Sequence, residues 1–173
     1  MKKLSLSTLS LLACLAVPSS VFAAPKMVDV AIENAKGEKV GHATLTDVKG
    51  GVKINLRVTG LPPGKHGIHF HETGVCTAPD FKSAGAHFNP AHKTHGLNAK
   101  AQSPHAGDLP NLEVAEDGTG QMEMVSKRIS LKDGRNSLLK TGTSLVIHAK
   151  PDDQKTDPSG DSGDRIACGT IKK

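Results

Sequence analysis

Val52, Ile54, Leu56 and Val58 alternate with Lys53, Asn55, Arg57 and Thr59, the period of two that predicts a half-buried β-strand. Val28, Val30 and Ile32 alternate in the same way with Asp29, Ala31 and Glu33. Turn signals punctuate the chain at Lys36-Gly37, Gly50-Gly51, Pro62-Pro63-Gly64, Asp117-Gly118 and Asp133-Gly134. Apolar residues nowhere hold a period near 3.6 for more than about two turns, so no substantial helix is predicted. Short strands at this spacing indicate an all-β sandwich or barrel.

Two segments break the pattern. Thr73 to Asn111 is rich in Gly, Pro, Asn and His, and Lys150 to Asp164 is full of Asp, Gly, Ser and Pro. Both read as long loops, and loops of that length inside a compact domain are usually functional or disordered. The histidines of the first segment favour function.

Lys2 and Lys3 precede an apolar stretch from Leu4 to Val17, then Pro18-Ser19-Ser20 and Val21-Phe22-Ala23, the layout of a secretory signal peptide over residues 1–23 ahead of one domain over 24–173. The apolar run is short for a membrane span. A lipid-anchored Cys14, after Leu11-Leu12-Ala13, is the rival reading of the same stretch. Cleavage after Ala23 removes two Lys and no acid, lowering the net charge from +5 to +3. It also leaves Cys76 and Cys168, most simply a disulfide in an exported chain and otherwise two buried thiols. With four Phe and neither Trp nor Tyr, there is little to stack on bases, so the positive charge does not indicate nucleic-acid binding.

Nine His are the compositional anomaly. In Gly67-Ile68-His69-Phe70-His71 a strand would project His69 and His71 from one face and Ile68 and Phe70 from the other. Leu145-Val146-Ile147-His148 repeats the logic, with Leu145 and Ile147 toward the core and His148 away. These three imidazoles on solvent-side faces can converge on one metal. His87, His95 and His105 are followed by Asp108, three neutral nitrogens and one carboxylate suited to a closed tetrahedral zinc site. A single histidine is ordinarily a surface or hydrogen-bonded group; a set with this spacing points to metal. His42, His66 and His92 lack such support and read as structural or exposed.

Five motifs in order carry a resemblance: Gly67-Ile68-His69-Phe70-His71, Gly85-Ala86-His87-Phe88-Asn89-Pro90, His105-Ala106-Gly107-Asp108-Leu109, His148-Ala149-Lys150-Pro151-Asp152-Asp153 and Gly163-Asp164-Arg165-Ile166-Ala167-Cys168-Gly169. The chain resembles the exported bacterial copper/zinc superoxide dismutases over essentially all of residues 24–173. The resemblance implies an eight-stranded Greek-key β-barrel with two long functional loops, and one copper and one zinc ion per subunit. It implies copper on His69, His71, His87 and His148, and zinc on His87, His95, His105 and Asp108, with His87 shared. It further implies that Asp152 accepts hydrogen bonds from His71 and His95, that His66 bonds backbone, and that Arg165 docks the superoxide anion.

The implied reaction turns superoxide into O2 and hydrogen peroxide, with copper cycling, zinc structural and His87 carrying a proton. Electrostatic steering is a known trait of this family; Lys82, Lys93, Lys150 and Lys155 are candidates for it here. The loop from Asp153 to Asp164 is shorter, and the segment from Cys76 to His87 longer, than in animal members, so steering residues do not transfer. Monomer and homodimer both remain open, as does the role of His92. The resemblance also implies a periplasmic or secreted protein that protects the cell envelope from oxidative damage. The competing function is a non-catalytic copper-binding or copper-delivery domain on the same fold. Arg165 and the full copper set argue against it, and a zinc hydrolase would need an open ligand position that this zinc set lacks.

Overall fold

The structure, a computed structural model, describes residues 24–98 and 104–172. The signal-peptide reading of residues 1–23, Cys14 included, lies outside the described residues. Nine strands follow in chain order: β1 Met27–Asn34, β2 Lys39–Val48, β3 Gly51–Val58, β4 Gly64–His66, β5 Ile68–His71, β6 Leu112–Val114, β7 Gly120–Ser126, β8 Thr143–His148 and β9 Arg165–Ile171. Among the described residues the sole helical turn is a 3-10 turn at Lys82–Ala84.

Every strand pair is antiparallel, in the order β4-β6-β7-β3-β2-β1-β9-β8-β5. The two ends of that order, β4 and β5, are consecutive in the chain, so the sheet curls into a nearly closed barrel. The eight strands expected become nine because the run from Gly64 to His71 changes partner at Gly67. There the Gly67 N–H donates to the Lys150 carbonyl and the Gly67 carbonyl accepts from the His148 N–H, each at 2.8 Å. Glycine is required: a Cβ at this point would stand 2.7 Å from the Ser162 Cβ.

The alternation read from the sequence sets the core. Val52, Ile54, Leu56 and Val58 of β3 are buried, as are Val30 and Ile32 of β1 and Ala43 and Leu45 of β2. Across the β2-β3-β7 register Leu45 faces Ile54 and Ile54 faces Met124, so side chains of one face meet inside the barrel. Leu145 and Ile147 of β8 and Ile68 and Phe70 of β5 complete that core.

On β5 and β8 the opposite face is buried as well, because the two long loops lie over it. Val146 packs outside the barrel with Phe81, Ala84 and Cys168, and Cys76 and Cys168 form a disulfide with Cα atoms 5.8 Å apart. The bridge spans 92 positions of sequence. A closed loop that long stabilises by roughly 4 to 5 kcal/mol if unstrained, on the chain-entropy view.

Candidate metal centre

The free edge of β5 is covered by pieces of the first loop. The Phe88 N–H donates to the Phe70 carbonyl at 2.8 Å and the Phe70 N–H to the Gly107 carbonyl at 3.0 Å, while the main chains of His71 and His87, and of His69 and Asp108, lie in isolated β-bridges. Backbone pairing therefore brings His87 and Asp108 beside the two histidines of β5, and β8 delivers His148 from the other side. His69, His71 and His148, which sequence reasoning placed on solvent-side faces, are buried under the loops, as are His87, His95, His105 and Asp108.

Each imidazole has one nitrogen anchored or a neighbour to set its direction. His71 donates through Nδ1 to the Gly85 carbonyl at 3.0 Å, and His148 through Nδ1 to the Gly163 carbonyl at 3.1 Å. His69 donates through Nε2 to Asp152 Oδ2 at 2.7 Å. A carbonyl or carboxylate oxygen accepts only, so the anchored nitrogen carries the proton and the other keeps its lone pair. The nitrogens left over, His69 Nδ1, His71 Nε2 and His148 Nε2, are buried without a hydrogen-bond partner, and so are both nitrogens of His87.

A second group gathers round Asp108. Its Oδ2 accepts from the N–H groups of Gly96 at 2.9 Å and His105 at 3.0 Å. Its Oδ1, unpartnered, stands 3.1 Å from His95 Nδ1 and 3.4 Å from Nδ1 of both His87 and His105. Since His87 Nδ1 faces Asp108, His87 Nε2 is the nitrogen left for the first group. Within each set, His69-His71-His87-His148 and His87-His95-His105-Asp108, the candidate donor atoms lie within 4.8 Å of one another.

Eight buried donor atoms converge with no partner. Such groups ordinarily cost about 1 to 3 kcal/mol each, and two cations placed among them would satisfy all eight. The donor chemistry fits: four imidazoles suit copper, and three imidazoles with one carboxylate make a closed tetrahedral zinc set.

The protonation states suit metal binding. Burial lowers His69 against the pull of Asp152, and holds His71 well below the ordinary histidine value with His87 adding to the effect. Burial likewise takes His87 down to about 4 and His148 to about 3. These rings are neutral at pH 7, the form that ligates. His95 differs: burial opposes its charge, but Asp108 and Asp152 on either side push it up to about 9. Burial alone would raise Asp108 and Asp152. Their histidine neighbours hold both well below the usual carboxylate range, His105, His87 and His95 at Asp108 and His69 and His95 at Asp152.

Asp152 corrects one expectation. It joins His69 to His95, whose Nε2 lies 3.0 Å from both carboxylate oxygens, and makes no bond to His71. The reason is geometric: the His71 Nδ1 proton is already given to Gly85. Asn111 and Gln154, which sequence reasoning missed, hold Asp152 in place. Asn111 exchanges two bonds with the Asp152 main chain at 2.8 and 2.9 Å. The Gln154 N–H donates to Asp152 Oδ1 at 2.6 Å while its side chain spans Leu97 and Leu109. Asn111 is 41 positions from Asp152, and the Gln154 side chain meets Leu97 and Leu109, 57 and 45 positions away, so no local pattern marks those contacts.

The Arg165 guanidinium is fixed by the carbonyls of Phe81 and Gly85, each at 2.7 Å, the second of which also accepts from His71. It lines an open groove with Pro79, Asp80, Lys82, Gly163 and Asp164. Of the candidate steering lysines, Lys82 is in that groove and pairs with Asp80 at 3.3 Å; Lys93, Lys150 and Lys155 are exposed outside it. His66 is buried between the carbonyls of His148 and Pro62. His42 lies on the outer face of β2 beside Asp29, and His92 is exposed; neither belongs to a ligand set.

Comparisons with known proteins point to one family. The family profile described as copper/zinc superoxide dismutase (SODC) matches residues 39–171. "Superoxide dismutase [Cu-Zn] 1" of Aquifex aeolicus is 49% identical over 144 residues, covering 82% of this chain and 85% of that one. Among solved structures, a double mutant of a SOD-like protein from Bacillus subtilis superposes with a TM-score of 0.80 at 42% identity, over 84% of this chain and 97% of its own. The Cu/Zn superoxide dismutase from Brucella abortus superposes with a TM-score of 0.69 at 28% identity, over 84% and 99%.

Proposed function

The chain belongs to the copper/zinc superoxide dismutase family, and on that premise we propose that His69, His71, His87 and His148 hold copper while His87, His95, His105 and Asp108 hold zinc. The reaction is dismutation, in which two superoxide anions and two protons become one O2 and one hydrogen peroxide. The observation that carries the assignment is the convergence of buried, unpartnered donors on both sides of His87. Bound there, copper supplies one-electron redox chemistry and zinc, which has none, a fixed positive charge.

The protein's own groups do the rest. Arg165, locked by two carbonyls, presents a permanent cation with further N–H donors to a small anion in the groove. His87 would carry one of the two protons on Nε2, the nitrogen facing His69, His71 and His148, whenever that atom is not engaged by copper, and deliver it to the departing peroxide; the second comes from water, and the His87 Nδ1 stays on the Asp108 side. Asp152 orients one ring of each set at once, His69 and His95, so neither can rotate without disturbing the other. The loops cover the ligands, and the groove at Arg165 is where a small anion would approach.

Export belongs to the same reading: residues 1–23 direct the chain out of the cytoplasm, where it protects the cell envelope. The Cys76–Cys168 disulfide supports this, since such bonds persist in oxidising compartments. No helix among the described residues is long and apolar enough to cross a membrane.

The test is reconstitution of the exported portion with copper and zinc, followed by turnover and metal analysis on one sample. Rapid dismutation with both ions bound is expected, and full loading without turnover would instead favour copper delivery. Arg165→Ala should then cut the rate roughly tenfold, the worth of a charge-assisted hydrogen bond, with metal content intact; an unchanged rate would remove Arg165 from the anion site.

A further inference from the structure

Asp108 is held at every polar atom but one. Its N–H donates to the His105 carbonyl at 3.3 Å, and its Oδ2 accepts the N–H groups of Gly96 and His105. Those contacts are local, all within the first long loop. The main-chain carbonyl is taken from elsewhere: Arg128, two residues past the end of β7, donates to it from its guanidinium at 2.5 Å. What remains free is Oδ1, the atom that faces His87, His95 and His105.

Arg128 begins the crossover between β7 and β8, so this bond is the one among these contacts that ties Asp108 to a different part of the barrel. The side chain is half-buried. Burial lowers the guanidinium pKa and the Asp108 carboxylate raises it, so the two groups feel each other's charge. On its other side the Asp108 main chain is bridged to His69 of β5. The peptide is thereby clamped between a copper-set residue and a fixed cation.

We infer that Arg128 is a positioning residue of the zinc set, holding the Asp108 peptide so that Oδ1 enters the site in one orientation. Without it, the Asp108 carbonyl loses its one donor from the β7–β8 connection, and the carboxylate depends for its orientation on the Gly96 and His105 N–H groups and the bridge to His69 alone. The inference rests on Asp108 being a zinc ligand.

The experiment titrates zinc into the folded, metal-free protein against a chromophoric chelator, with cobalt absorption as a second probe of ligand geometry. Arg128→Met, which keeps the apolar stem, is expected to weaken zinc roughly tenfold, the usual scale for partners that orient a ligand, and to change the cobalt spectrum. Arg128→Lys, retaining a charged donor without the planar fork, should recover part of the affinity. Arg57→Met, on the exposed face of β3, should leave it unchanged. A lower melting temperature for metal-free Arg128→Met with parental zinc affinity would overturn the inference and leave Arg128 a stabilising residue only. Should Arg128→Met fail to fold, parental affinity in Arg128→Lys would overturn it equally. Asp108→Ala separates the two ideas: loss of zinc there with no effect at Arg128 sinks the positioning role alone, and no effect at either sinks the ligand assignment beneath it.

Discussion

Strands β3 and β5 carry the same alternating pattern and meet opposite surroundings. On β3 the polar positions Asn55 and Arg57 are exposed and only the apolar face is covered. On β5 the apolar Ile68 and Phe70 face the barrel core, yet His69 and His71 on the outer face are 0% and 1% exposed. The difference lies in what crosses the strand, not in the strand. The outer face of β3 is left open to water, whereas two loops fold over β5 and β8 and turn their polar face into a second, histidine-lined interior. A face that water would otherwise solvate becomes a place where unpartnered nitrogens are costly until cations arrive.

Several changes would break that contrast, beginning with the most severe. His148→Ala should abolish turnover while zinc stays bound; retained activity would remove His148 from the copper set. Replacing both Cys76 and Cys168 by Ser frees the first loop from β9 and should cost about 2 to 5 kcal/mol in a urea titration. Equal midpoints for the two proteins would mean the loops hold themselves in place.

Acid should act on the loop-covered region. In the metal-free protein His69, His71, His87 and His148 have folded pKa values below 6.5. Their contribution to stability is therefore present above pH 6.5 and lost as pH falls toward the values of about 4 and 3 for His87 and His148, on the order of 3 kcal/mol for His87 alone. Asp108 and Asp152, depressed below 3.8, act in the same direction, their share being lost at lower pH still. His95 runs the other way: raised to about 9, it stabilises below pH 6.5, and that part fades as pH rises through 9. Denaturation at pH 4.5 and pH 7 measures the sum, and equal stability would contradict the buried-neutral state of these rings. In the loaded protein the same protons should compete with the metals. The smallest effect belongs to the open face, where Arg57→Ala should shift stability by no more than about 0.5 kcal/mol; a larger loss in thermal melts would mean that this face is not simply solvated.

Much was legible without coordinates. The strands follow from a period of two, a property of neighbours in the chain, and burial at Val52, Ile54, Leu56 and Val58 matches it. Motifs such as His69-Phe70-His71 and His105-Ala106-Gly107-Asp108 place candidate ligands at short spacing, so they could be named in advance, while the sharing of His87 between two sets came only with the family resemblance. The pairing of Cys76 with Cys168 needed only a count of two.

Other features depend on partners far apart in sequence, which no window of residues contains. Asp152 reaches His69 across 83 positions and Asn111 across 41, and the resemblance, which supplied its contact with His95, put His71 in the place of His69. Arg128 meets the Asp108 carbonyl only because β7 ends beside the first loop. Position 67 must be glycine because Ser162 stands against it. The sequence determined the alternating strands and the chemistry of the donors, since both are set by residue identity and near spacing. Which face is sealed from water, and which nitrogen of each ring is left to bind, was decided by long-range backbone pairing: the hydrogen bond made by one ring nitrogen fixes the freedom of the other.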